Sequence, residues 1–132
     1  MDIIELIGRI LFVSIFLMSG VAHFRQREQY VAYSRGSGAP LPQLMVPLTG
    51  LMLLAGGALI LLGVWADLGA LLIAAFLLPA AYFMHAFWKF EGQERAGEQG
   101  VFLKDLALGG AALALIALSH DGLAHAVSGP LF

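Results

Sequence analysis

The chain has 132 residues, of which 60% are hydrophobic and only 12% are charged, with a formal net charge of −2. Soluble proteins average roughly 45–50% apolar and about 25% charged residues, so this composition argues against a water-soluble enzyme domain. A nucleic-acid binder would need a basic surface, which the net charge does not provide. The sequence has no cysteine, which excludes disulfides and Cys-ligated metal centres. A small integral membrane protein of one domain, over residues 1–132, is therefore expected.

Four segments are long and apolar enough to cross a membrane. A spanning helix needs about 20 such residues, and main-chain groups in lipid must be satisfied within the segment, which favours helices. No segment shows the alternating pattern of a membrane strand. The sequence therefore predicts an all-α, integral membrane four-helix bundle with up-down topology. The helices are expected over about residues 3–24, 44–65, 68–88 and 101–119.

The connections between these helices differ in length. The second and third helices are joined at residues 66–67 alone, which predicts a tight antiparallel hairpin. Residues 25–43 form a longer first loop with several glycines and prolines, and residues 89–100 form a polar third loop. Pro79 lies inside the third helix, where it is expected to cause a kink and to leave the carbonyl of Ala75 without its helical donor.

The topology in the membrane follows from charged residues near the segment ends. The first segment is interpreted as a retained helix, because it begins with Asp2 and Glu5 rather than a basic cluster and no cleavage site follows. Basic residues favour the cytoplasmic side of the membrane. Only Arg9 is on the side of the termini, so both termini are expected in the periplasm of a bacterial inner membrane. The opposing basic residues are Arg25, Arg27, Arg35, Lys89, Arg95 and Lys104.

An ionisable pair occurs in the first helix. Charged groups inside membrane helices are energetically unfavourable and are the first candidates for function. Glu5 and Arg9 are four residues apart, so they share a face and can form an ion pair. Two arrangements are open. Arg9 either extends to the membrane rim or turns into the bundle as a fixed cation for a buried anion or carbonyl.

A second polar group is predicted from topology alone. The end of the first helix, the end of the third and the start of the fourth lie at one face of the membrane. Histidine donates or accepts protons near neutral pH, so two histidines beside an aromatic ring and a Lys–Asp pair would suit a quinone headgroup. Each residue also has a structural interpretation, as an interfacial aromatic or a charge at a helix start. The candidate quinone pocket comprises His23, His85, Trp88, Lys104 and Asp105.

Other chemistry is disfavoured by the residue spacing. Two histidines and one carboxylate lack the spacing of a metal site, and those histidines lie too near the membrane edge for a haem pair. No inverted repeat indicates a transporter. His120 and His125 lie in a tail that is expected to fray and to be solvated. No metal, no intrinsic cofactor and no catalytic residue is assigned.

Four pieces of the sequence, in order, resemble the DoxX family of small four-helix bacterial membrane proteins. His23 stands where that family usually has lysine, and Asp105 where asparagine is common. The four pieces are the first-helix segment Gly8–Gly20, the loop Tyr33–Pro42 ending G-A-P-L-P, H-A-F-W at residues 85–88, and F-L-K-D-L-A-L-G-G at residues 102–110.

The resemblance implies a redox neighbourhood, because the family takes its name from a subunit of an archaeal thiosulfate:quinone oxidoreductase and other members associate with membrane oxidoreductases. The expected function is a redox-associated subunit that binds quinone or quinol near the cytoplasmic interface and works with a partner oxidoreductase, at most as an accessory subunit of an enzyme. The alternative is a non-catalytic scaffold or anchor, or a carrier of a small apolar molecule. Membrane lipid is an expected partner, nucleic acid is not, and a homo-oligomer is left open.

Overall fold

The computed structural model describes residues 2–132, which form five α-helices, one short 3₁₀ helix and no strand. Four helical segments within this range are long and apolar enough to cross a membrane, and successive segments run in opposite directions. The all-α, four-helix prediction is confirmed. The helices are α1 (Asp2–Arg25), α2 (Arg27–Gly36), α3 (Pro42–Leu62), α4 (Ala66–Met84) and α5 (Gly92–His120), with the 3₁₀ helix at Phe87–Lys89.

Both long loops contain more helix than the sequence predicted. Within the first loop, Arg27–Gly36 forms α2, a short polar helix. In the third, α5 begins at Gly92 rather than near residue 101. Six of the nine residues 92–100 are Glu, Gln, Arg or Ala, which are good helix formers, and the other three are glycines. The membrane helix therefore continues into its polar flank, about two turns beyond the apolar segment.

The predicted hairpin between the second and third spans is present, with its turn slightly earlier than expected. Gly63 adopts φ 65°, a left-handed conformation that glycine tolerates, and ends α3 at Leu62. The N–H groups of Gly63 and Val64 donate to the carbonyls of Ile60 and Leu59, which satisfies the end of the helix. The turn therefore occupies residues 63–65, and α4 starts at Ala66.

The spanning helices pack in chain order, α1 on α3, α3 on α4, and α4 on α5. Glycines allow two of these close approaches. A Cβ on Gly56 would lie 2.8 Å from the carbonyl oxygen of Gly69, and the converse substitution would meet the same distance. A Cβ on Gly57 would likewise lie 2.8 Å from the Leu17 side chain, whereas a Cβ on Gly110 would meet no atom within 4 Å. Glycines of α3 therefore allow its close packing against α1 and α4, and small residues at helix contacts are common in membrane bundles.

A cluster of buried hydrophobic side chains forms the core of the bundle. It holds side chains from all four spanning helices, so it fixes their relative rotation. Its members are Val13, Phe16, Leu53, Ile60, Ala70, Ile73, Ala74, Leu77 and Ala112.

Two prolines lie inside helices. Pro47 cannot donate to the carbonyl of Gln43, and Nη2 of Arg27 donates to that oxygen instead, at 3.3 Å. This bond ties α2 to the start of α3. The helix α4 continues through Pro79 from Ala66 to Met84, and the predicted kink there is not confirmed.

The segment after α5 is ordered against the ends of α3 and α4, contrary to the expectation of a frayed tail. The N–H groups of Val127 and Ser128 donate to the carbonyls of Leu62 and Gly63, at 3.2 and 3.0 Å. Such bonds are possible because the left-handed turn leaves these carbonyls free. His120 and His125 are exposed, as expected.

Candidate functional site

A cavity of about 480 Å³ lies at the end of the bundle where α1 and α4 end. All five α-helices contribute to its wall. Most of the lining side chains are apolar, and α2 and the following residues Ala39 and Pro40 also contribute. Apolar side chains that line it include Phe16, Val46, Met52, Phe76 and Leu77.

Four of the five residues predicted for the pocket line this cavity. His23 comes from α1, His85 from the residue after α4, and Lys104 and Asp105 from α5. Their convergence follows from the up-down topology, which brings the end of one helix beside the start of another.

The structure does not bring Trp88 to the cavity. Its ring packs against Tyr82, Phe87 and Phe102, with centroids 5.6, 5.3 and 5.9 Å away, and 44% of the residue is exposed. The cause is the early end of α4 at Met84, after which the 3₁₀ turn directs this residue away from the site. Stacking of Trp88 on a bound ring is therefore not supported by its position.

His85 lies between two carboxylates. Its Nδ1 is 2.9 Å from Oε2 of Glu98, and its Nε2 is 3.8 Å from Oδ2 of Asp105. Nζ of Lys104 is in turn 3.9 Å from Oδ1 of Asp105. These groups form a polar chain from Glu98, near the start of α5, to the cavity wall, and the carboxylates fix the orientation of the imidazole.

Glu98 was not predicted as part of the site. The sequence analysis placed it in a polar loop, where its direction is undefined. Once residues 92–100 are helical, Glu98 precedes Asp105 by seven residues and shares its face of α5. The Glu, Gln, Arg and Ala residues of this stretch were the available signal, and its three glycines weakened it.

His23 is buried and held by its own helix. Its Nδ1 lies 2.7 Å from the carbonyl oxygen of Ser19. Its ring meets Tyr30 and Phe76 edge-on, with centroids 4.7 and 5.7 Å away. On the opposite side it fits against Gly50, where an added Cβ would lie 2.7 Å from the His23 Cβ.

Tyr33 joins α2 to the end of α4. Its hydroxyl donates to the carbonyl of Met84 at 3.1 Å, just beyond which α4 ends. Partial burial, and then the negative charge of Glu98, raise the pKa of the Tyr33 phenol. The hydroxyl therefore keeps its proton at neutral pH. The sequence analysis did not single out this residue or Tyr30, although both are aromatic residues three apart on a polar helix.

The second predicted pair lies at the opposite end of the molecule. Arg9 is 2% exposed, and its Nη1 is 3.4 Å from Oε1 of Glu5. Arg9 turns inward, where it donates to the carbonyls of Leu61, at 3.0 Å, and Ala124. Glu5 accepts from the N–H of Ala124 at 2.8 Å. Of the two arrangements considered, the side chain adopts the inward one and binds main-chain carbonyls.

No cluster of three or more His, Cys, Asp or Glu side chains within residues 2–132 could hold a metal ion. The side chains of His85, Glu98, Asp105 and Lys104 can donate and accept hydrogen bonds.

Comparison with known proteins places the chain in a family of membrane proteins. The DoxX family model matches residues 4–86, well over half of the chain. The chain belongs to the DoxX family. It is 29% identical over 120 residues to inner membrane protein YphA of Escherichia coli (strain K12), a match that covers 91% of this chain and 85% of that protein. No solved structure matches. With its four spanning segments, this DoxX protein is a small integral membrane protein.

Proposed function

We propose that this DoxX protein is a redox-associated membrane subunit that binds quinone or quinol in the cavity and works with a partner oxidoreductase. The observation that carries the proposal is the form of the cavity: an apolar volume with His85, Lys104 and Asp105 at one end. Its size of about 480 Å³ is that of a small-molecule site. A quinone has the matching form, with an apolar ring and tail and two polar oxygens.

In this proposal the cavity end faces the cytoplasm of a bacterial inner membrane. Support comes from the basic residues of α2, of the turn after α4 and of the start of α5, which lie at that end. Positive charge favours the cytoplasmic side. The relative from Escherichia coli is an inner membrane protein, which agrees with the membrane assigned here.

The residues of the polar chain have distinct proposed roles. His85 exchanges a proton with one ligand oxygen, Asp105 and Glu98 hold its ring, and Lys104 lies beside Asp105. The Glu98 side chain is 25% exposed and is proposed to connect this group to the aqueous phase. The sequence has no cysteine to accept electrons through a thiol or a Cys-ligated cluster, so a partner protein is proposed to exchange them.

A second candidate is a carrier of a small apolar molecule, or a non-catalytic scaffold. The carrier is favoured by the predominance of apolar side chains around the cavity. In that case His85 would not contribute to binding.

The two candidates are separated by mass spectrometry of small molecules retained after gentle purification in native lipid. We expect the wild type to retain quinone near stoichiometrically and His85→Ala to lose it about tenfold, the effect of one charge-assisted hydrogen bond. His120→Ala, at an exposed site at the other end, should behave as wild type. Quinone at the level of bulk lipid in all three proteins would favour the carrier or scaffold.

A further inference from the structure

We propose that the quinone enters the cavity from the bilayer, through a gap between α3 and α4, and leaves its hydrocarbon tail in that gap. The inference rests on the proposed function and adds the class of substrate, a quinone with a long apolar tail. Its basis is where α3 and α4 touch, which of their side chains line the cavity, and which of those side chains are also exposed.

The two helices touch near the turn that joins them. Gly56 of α3 and Gly69 of α4 form this contact, since a Cβ on either would lie 2.8 Å from the carbonyl oxygen of the other. Both lie within about two helical turns of the loop at residues 63–65. Towards the cavity, the close glycine contacts are with other helices, at Gly50 between α3 and α1 and at Gly109 between α5 and α4.

The faces of α3 and α4 that meet near the turn line the cavity further along. On α3, Thr49 precedes Gly56 by seven residues and continues its face of the helix. On α4, Phe76 and Phe83 follow Gly69 at steps of seven residues and continue its face in the same way. Thr49, Phe76 and Phe83 all line the cavity. The cavity therefore separates two surfaces that pack directly on each other near the turn.

The outer edge of this gap is open at the depth of the hydrocarbon. Leu48 of α3 and Pro79 of α4 line the cavity and are also exposed, Leu48 by 43%. Leu48 follows the start of α3 by six residues and Pro79 precedes the end of α4 by five, so each lies about 7–9 Å inside its helix. Both helices are apolar spans, so the exposed side chains at this depth face lipid.

The rim of the gap is apolar, which matches a hydrocarbon tail. It comprises Met45, Leu48 and Met52 of α3 and Pro79 and Phe83 of α4. Methionine side chains are flexible and adapt to apolar groups of varied shape. A cavity of about 480 Å³ is in the lower part of the range for small-molecule sites, so a long tail extends beyond it into the lipid.

The walls formed by α1 and α5 are more polar. Ile15 of α1 also lines the cavity and is 42% exposed. The same two helices, however, contribute Ser19, Lys104 and Asp105 to the wall. A tail that covered these groups would leave them without water or a hydrogen-bond partner, which is unfavourable. The quinone oxygens are therefore assigned to this side and the tail to the gap between α3 and α4.

Photo-cross-linking locates the tail. A decyl-substituted benzoquinone with a diazirine on the tail, near the ring, is irradiated with the full chain in lipid nanodiscs, and the adducts are mapped by mass spectrometry. We expect adducts at Met45, Leu48 and Phe83 that an excess of the unlabelled decyl quinone suppresses. Suppressible adducts at Ile15 or on α5 instead would overturn the inference and leave the proposed function standing. Adducts that the excess does not suppress at any position would contradict the proposed function itself.

Narrowing the gap gives a second test. Leu48→Trp places a larger side chain at the rim, on a lipid-facing position where it should not disturb folding. It should weaken binding of the decyl quinone about fivefold, the effect of mild overpacking, and leave binding of the same quinone without a tail unchanged. Leu51→Trp, at a 58% exposed position of α3 outside the cavity lining, is the matched control and should bind both as wild type does. Equal weakening of both ligands by Leu48→Trp, or of neither, would contradict passage through this gap.

Discussion

Asp67 shows how single residues organise the end of the molecule away from the cavity. It is fully buried in the first turn of α4, yet it has no basic partner among residues 2–132. Its carboxylate accepts from the N–H groups of Leu131 and Phe132 at 2.7–2.9 Å. Main-chain donors therefore satisfy the buried charge, which is the condition under which such a charge is tolerated.

Substitution Asp67→Asn should release the last residues of the chain. The amide has one acceptor oxygen and no charge, so the stability of the fold should fall by about 2 kcal/mol, the value of hydrogen bonds to a charged group. Thermal unfolding in detergent, together with limited proteolysis of the C-terminal segment, measures this. Asp121→Asn, at an exposed position near the same end, is the control and should change neither. Equal behaviour of the two variants would show that the segment is held by other contacts.

At the scale of helices, the crossing of α1 and α3 positions His23. The crossing is close because Gly20 and Gly50 face each other, with Gly50 directly under the His23 side chain. Close approach of backbones through glycine is the common solution in lipid. The position of the His23 side chain in the cavity wall therefore depends on Gly50, which has no side chain.

Substitution Gly50→Ala should separate these helices. The new Cβ would lie 2.7 Å from the Cβ of His23, which is attached to the backbone and cannot rotate away. Overpacking of this kind costs about 1–3 kcal/mol, measurable as a lower thermal midpoint in detergent. Gly110→Ala in α5 meets nothing within 4 Å and should be neutral or stabilising by up to about 1 kcal/mol, because alanine favours helix. Similar losses from both variants would contradict the assigned crossing.

On the scale of the whole molecule, the two ends are different. One end holds the cavity, α2 and most of the basic residues, and the other is covered by the segment after α5. The helices pack in chain order, and this places α1 and α5 on opposite walls of the cavity. Under the proposed function, the orientation in the membrane decides which compartment would supply protons to His85.

Reporter fusions test the orientation. Alkaline phosphatase fused after Phe132 should be active, since the termini are proposed to face the periplasm and this enzyme folds only there. The same enzyme fused after Gly38, in the loop beside the cavity, should be inactive because basic residues hold that loop in the cytoplasm. The opposite pattern would place the cavity at the periplasmic face.

Much of the architecture could be predicted, because hydropathy and the main-chain requirement in lipid act on each segment separately. The same reasoning brought His23, His85, Lys104 and Asp105 to one end, since up-down topology alone sets their depth. The depth of a residue in the membrane does not, however, determine which way its side chain points. Trp88 has the expected depth but turns away, because α4 ends before it.

The sequence by itself determined the number of spanning helices, their alternating directions and the family resemblance, which are properties of local composition and order. Only the tertiary structure decided which polar groups meet: Glu98 with His85, Asp67 with the C-terminal segment, and Arg9 with main-chain carbonyls far away in the sequence. These contacts depend on helix rotation and on the residue at which each helix ends. Both are set by packing between distant segments, in particular by the glycines at the helix crossings.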